Sequence, residues 1–124
     1  MPKQISQAEL SIMEVLWREH PLAASDVAEK LSESKDWNIK TVKTLLSRLV
    51  TKQALSTRKD GRRYLYSPVI ARETYAASAA RRLTDCLFGG RAAPLVAHLA
   101  EDQGLTDDDI ADLEALLKDL KDER

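Results

Sequence analysis

Between Lys40 and Thr51 the apolar residues fall at Val42, Leu45, Leu46, Leu49 and Val50, the i, i+3, i+4, i+7, i+8 spacing of a helix with one buried stripe. Its other face reads Lys40, Thr41, Lys43, Thr44, Ser47, Arg48, Thr51 and Lys52. Asn38 suits the N-cap, and Trp37 before it with Val42 inside fits a hydrophobic staple. Two short extended runs follow, Leu55–Arg58 and Arg63–Ser67, joined across Asp60-Gly61, a strong signal for a hairpin turn that needs positive φ. Arg58, Lys59, Arg62 and Arg63 crowd the tip of that hairpin. A helix with a buried face and a basic face, beside a hairpin tip of four cations, calls for a counter-charge. Groove edges and flanking phosphates of nucleic acid supply one.

The segments around this block are helical. Ser6 and Glu9 form a capping box, and Leu10, Met13, Leu16 and Trp17 continue at helical spacing to about Arg18, before His20-Pro21 ends the helix. A second helix starts at Ala24 or Ser25 and buries Val27, Ala28 and Leu31; a polar loop from Ser32 to Asp36 leads on to Trp37. Beyond Pro68 a long helix from about Ile70 runs through Tyr75, Ala79, Leu83 and Leu87 to a stop at Gly89-Gly90. A short helix over about 91–100 carries Leu95, Val96 and Leu99. Thr106 caps the last helix, whose first-turn aspartates, Asp107 to Asp109, suit the positive end of its dipole. Ile110, Leu113, Leu116, Leu117 and Leu120 form its stripe. The expected fold is mostly α with a small β-hairpin: a winged helix-turn-helix over 1–70 and a helical dimerisation region over 71–124.

Charge is also unevenly divided between the two ends of the chain. Residues 1–82 hold 15 Lys and Arg against 9 Asp and Glu, while residues 83–124 hold 4 against 11, so halves of +6 and −7 hide inside a total of −1. A basic binding module joined to an acidic module with another task explains that asymmetry. Only Cys86 is present, which excludes an internal disulfide and an all-cysteine metal site within one chain. No apolar run approaches the ~18 residues of a membrane span, and the start Met-Pro-Lys-Gln-Ile-Ser has no signal-peptide core. A cytoplasmic location, at the nucleoid, is expected.

The chain resembles the BlaI/MecI penicillinase-repressor family of bacterial transcriptional regulators. The resemblance lies in Ile5-Ser6-Gln7-Ala8-Glu9 with Met13 and Trp17, in Trp37 to Leu49, in Gly61 with Tyr64-Leu65-Tyr66-Ser67-Pro68, and in Leu105-Thr106 opening a leucine-rich helix. It implies a dimeric repressor with an N-terminal winged helix and a C-terminal dimerisation region, seated on a palindromic double-stranded DNA operator. Two departures bear on how such a protein is released. The copper-responsive branch ends in paired Cys-x-Cys motifs, and here only Cys86 stands. The β-lactam-responsive branch is cut by a membrane sensor protease at an Asn-Phe bond; the matching stretch here, Val96-Ala97-His98-Leu99, has no such bond. A sensor protease acting on the C-terminal region is thus a partner the resemblance implies but whose cleavage bond is missing.

On helix and hairpin, the expected DNA contacts are Lys40, Thr41, Lys43, Thr44, Ser47 and Arg48, with Thr41 and Thr44 nearest the bases, and Arg58, Lys59, Arg62 and Arg63 on phosphates. Leu83, Leu87, Leu95, Leu99, Ile110, Leu113, Leu116, Leu117 and Leu120 are expected to form the homodimer. No cofactor is expected. His20 reads as a helix-end residue, His98 as a partly buried one, Cys86 as a small core residue, and Trp17 and Trp37 as core. No nucleophile–base pair or paired carboxylates stand out, so an enzyme lacks a site. The alternative is an adaptor that binds another protein through the amphipathic C-terminal helices.

Overall fold

The structure, a computed structural model, describes residues 4–102 and 104–123; Met1 to Lys3, part of the leader argument, lie outside them. It contains α1 (Gln7–Arg18), β1 (Leu22–Ala23), α2 (Ala24–Leu31), α3 (Ile39–Thr51), β2 (Leu55–Asp60), β3 (Arg63–Pro68), α4 (Arg72–Leu87), α5 (Ala92–Asp102) and α6 (Asp107–Asp122). The fold is mostly helical with one small antiparallel sheet, ordered β1-β3-β2. Among the described residues no helix is long and apolar enough to cross a membrane.

Two compact units divide the chain, Met1–Ala76 and Ala77–Arg124. The first therefore runs past the expected boundary at residue 70. Tyr75, in the first turn of α4, is buried and its ring lies 6.1 Å from that of Trp17. Trp17 also donates its indole N–H to the Ile70 carbonyl at 2.9 Å. These contacts tie the start of α4 to α1.

In the first unit α1, α2 and α3 enclose Ile12, Met13, Leu16, Val27, Leu31, Val42, Leu45, Leu46 and Leu49, closed by Ala23, Leu55 and Leu65 of the sheet. Ile12 takes the core position that Leu10 was expected to share; Leu10, Trp17 and Trp37 are only half-buried. Lys35 holds its ammonium 5.6 Å from the centre of the Trp37 ring, so that indole lies under a cation at the edge of the core.

Local chemistry sets the ends of these elements. Ser6 accepts from the Glu9 N–H at 3.2 Å, and Glu9 Oε1 accepts from the Ser6 N–H at 2.8 Å, the expected capping box. Asn38 Oδ1 accepts from the Thr41 N–H at 2.9 Å and starts α3. At the far end Gln53 adopts φ +64°, while the Gln53 N–H donates to Val50 O at 3.0 Å and the Ala54 N–H to Leu49 O at 2.9 Å. That is a Schellman stop, built on glutamine instead of the usual glycine, and it swings the chain from α3 into the hairpin.

The second unit behaves differently. Gly89 and Gly90, at φ +58° and +81°, end α4 at the expected place. Thr106 caps α6 by accepting from the Asp109 N–H at 3.0 Å. Yet among the described residues from Ala77 onward only Thr84 is buried, and no apolar side chain is. Leu83, Leu87, Leu99, Ile110, Leu116, Leu117 and Leu120 are exposed, and Leu95 and Leu113 are half-buried. Two smaller expectations fail here. Cys86 is exposed, not a core residue. His98 is exposed too, with its ring edge-on to Phe88 at 5.6 Å.

Candidate nucleic-acid interface

The stripe of α3 fixes what its other face can offer. Val42, Leu45, Leu46 and Leu49 are buried, so at about 100° per residue Lys40, Thr44, Ser47 and Thr51 point most directly away from the core. Ile39, Lys40, Lys43, Thr44, Ser47 and Arg48 line one open groove along this face. No ion-pair partner faces Lys40, Lys43 or Arg48 among the described residues. The Thr44 hydroxyl donates to the Lys40 carbonyl at 3.0 Å, which leaves its oxygen able to accept.

Thr41 does not join them. It lies about a quarter-turn aside, is half-buried and lines neither groove. Both fall outside the apolar stripe, but the helical step sets Thr41 beside the stripe and Thr44 opposite it. Lys52, also assigned to the outer face, turns inward. Its ammonium pairs with the Glu9 carboxylate and donates to the Gln4 carbonyl at 2.9 Å. Glu9 is 1% exposed. Burial pushes its carboxyl up, but the Lys52 ammonium and the Ser6 donors outweigh that and hold it below its ordinary value. Glu9 Oε2 is buried with no hydrogen-bond partner among the described residues. The pair clasps the end of α3 to the start of α1.

The hairpin pairs Thr57 with Tyr66, Arg58 with Leu65, Lys59 with Tyr64 and Asp60 with Arg63. Gly61 and Arg62 thus form the two-residue turn. Gly61 has φ +65°, as a glycine at the first central position of a II′ turn does. A short β1, pairing Leu22 with Tyr66 and Ala23 with Leu65, braces the hairpin against the helices. At two residues that strand was too short to leave a pattern in the sequence.

Of the four wing cations, Arg63 is partly neutralised, lying 3.7 Å from Asp60 and 4.0 Å from Asp26. Arg58, Lys59 and Arg62 have no ion-pair partner among the described residues. A cleft of about 380 Å³ brings Ile39 and Lys43 of α3 together with Ser25 of α2 and Arg62, Arg63, Tyr64 and Tyr66 of the wing. Lys43 and Ile39 border both grooves, so the outer face of α3 and the turn of the wing form one continuous basic surface. Arg58 and Lys59 are exposed on β2 but line neither groove. The sequence reading missed Ile39, Ser25 and the exposed Tyr64; an isoleucine next to an N-cap and a strand tyrosine look like core residues until the packing is known. Among the described residues no cluster of His, Cys, Asp or Glu could hold a metal.

Comparison with known proteins agrees with this geometry. The family described as penicillinase repressor matches residues 5–119. The penicillinase repressor of Bacillus licheniformis is 31% identical over 95% of this chain and 92% of its own length. The methicillin resistance regulatory protein MecI of Staphylococcus aureus is 26% identical over 92% and 93%. The solved DNA-binding domain of the repressor BlaI superposes with a TM-score of 0.55 at 39% identity, covering 60% of this chain and 92% of that one. The Bacillus licheniformis BlaI monomeric form in complex with the blaP half-operator gives 0.53 at 39% identity over the same shares. A MarR family protein from Bacillus stearothermophilus shares the fold at a TM-score of 0.54 and 16% identity, over 98% of this chain and 76% of its own.

Proposed function

This chain belongs to the penicillinase repressor family, and from that premise we propose that it represses transcription as a homodimer on a two-fold symmetric DNA operator. One observation carries the reading: Lys40, Lys43, Arg48 and Arg62, with no ion-pair partner among the described residues, and the hydroxyls of Thr44 and Ser47 form a single surface, on a domain that matches one solved on a half-operator. Lys40, Thr44 and Ser47 enter the major groove, as the second helix of this motif does, with Lys43 and Arg48 at its walls. Arg62 holds a phosphate from the wing, Arg58 and Lys59 add longer-range attraction, and Arg63 contributes less because Asp26 and Asp60 share its charge.

The second unit supports the homodimer. From Ala77 on, no described apolar side chain is buried, and leucines on α4, α5 and α6 stand exposed. A two-fold partner presents the same stripes in return. Repression on DNA places the protein in the cytoplasm. Release by the sensor protease of the β-lactam branch is not part of this proposal, since Val96-Ala97-His98-Leu99 lacks the Asn-Phe bond.

A gel shift against the promoter of the protein's own operon tests the function. A complex that survives excess random duplex supports it, and no complex at any salt concentration contradicts it. The exposed leucines would also suit an adaptor, which would bind a different protein and leave DNA unshifted.

A further inference from the structure

Ile39 is an exposed apolar residue at the border of the basic face. It is the first residue of α3 and is 42% exposed, whereas Val42, Leu45, Leu46 and Leu49 are buried. The helical register puts it about 60° round from Val42, between Leu46 and Val50 on the side of the stripe that adjoins Lys43. It also stands where the two grooves meet, bordering Lys40, Lys43 and Thr44 on one side and Ser25, Arg62 and Tyr64 on the other. The cations around it attract phosphates, so a duplex drawn onto this surface brings base edges toward the start of α3. In helix-turn-helix docking the first residues of the second helix meet those edges.

Isoleucine neither donates nor accepts a hydrogen bond. What it can recognise on a major-groove edge is the apolar group found there, the 5-methyl of thymine. Its β-branched side chain is stiff at χ1, which narrows the directions its methyls can take. We propose that Ile39 is a specificity-determining residue that reads one thymine methyl in each half-site. The proposal rests on the major-groove reading above.

The test starts with duplexes selected from a randomised library by the full-length protein. Each thymine of the selected duplex is then replaced singly by deoxyuridine, which lacks only the methyl. Wild type, Ile39→Val and Ile39→Ala are titrated against the series. One thymine per half-site should be sensitive, its replacement weakening wild type about fourfold, the value of one buried methyl. Ile39→Ala should lose that sensitivity and keep the others, with an unchanged salt slope and thermal unfolding; Ile39→Val should fall between. Enrichment in which no thymine is coupled to Ile39, or an Ile39→Ala loss equal on selected and random duplex, overturns this proposal alone. No enrichment at all removes the groove-binding reading and this proposal with it.

Discussion

Glu9 and Thr44 show how much a single residue can hide in a sequence. Glu9 was legible as the capping partner of Ser6, because that geometry is local. Its pairing with Lys52, 43 positions away, was not: helical spacing sets Lys52 beside Leu45 at the edge of the stripe, but nothing local names the carboxylate it meets across the fold. The carboxyl is held below its unfolded value, so its contribution to stability is complete above the unfolded value and is lost as pH falls through the folded one. Glu9→Gln should therefore lower the unfolding free energy near neutral pH by about 3 kcal/mol. The deficit should shrink as the pH drops below 4.5, the ordinary value of the carboxyl, where wild type loses the same interaction. Urea unfolding of both proteins at neutral and acid pH measures it, and a constant deficit would show that the pair does not act through charge. Thr44 is the proposed reader of a base edge beside the proposed methyl contact of Ile39. Thr44→Ala should cost about 1–3 kcal/mol on the operator and relax preference at one base position per half-site, with little change on random DNA. A competition series varying each operator base measures it; equal weakening on both kinds of DNA would reduce Thr44 to a phosphate contact.

At the scale of elements, the helices and the hairpin were legible because each advertises itself within a few residues: Ser6 and Glu9, Asn38, Asp60-Gly61, Gly89-Gly90 and Thr106. The bracing strand Leu22–Ala23 and the stop at Gln53 were not. The first is defined only by its partner β3, and the second puts a positive φ on a residue that does not announce it. The wing shows the same limit. Four cations read as equivalent in the sequence, but pairing places Arg63 beside Asp60 and within reach of Asp26, while Arg62, in the turn, has no ion-pair partner among the described residues. Arg62→Ala should then lower the slope of log K against log salt by about two units in a dimer, one contact per subunit. Arg63→Ala should lower it by distinctly less. Binding isotherms across a salt series for the two variants decide this, and equal slopes would mean that the ion pairs of Arg63 open on the DNA.

On the scale of the whole molecule, the opposite charges of the two halves match two units with unlike interiors. The first encloses a core; the second, among its described residues, buries no apolar side chain. Leu117 and Leu120 are both more than half exposed, so replacing them with aspartate leaves the chain's own packing nearly intact while placing charge in the proposed interface. Leu117→Asp with Leu120→Asp should convert a micromolar dimer to monomer in sedimentation equilibrium and weaken operator binding sharply; a wild-type monomer would contradict the homodimer. The central claim is that two copies of α3 and the wing read one symmetric duplex. Selection from a randomised duplex library, followed by hydroxyl-radical footprinting of the winner, tests it most directly. The account predicts an inverted repeat, protected in two patches about one helical turn apart or a multiple of it, and lost when Lys40, Lys43 and Arg62 are replaced by alanine. An enriched site without two-fold symmetry, or protection that survives those replacements, would contradict it.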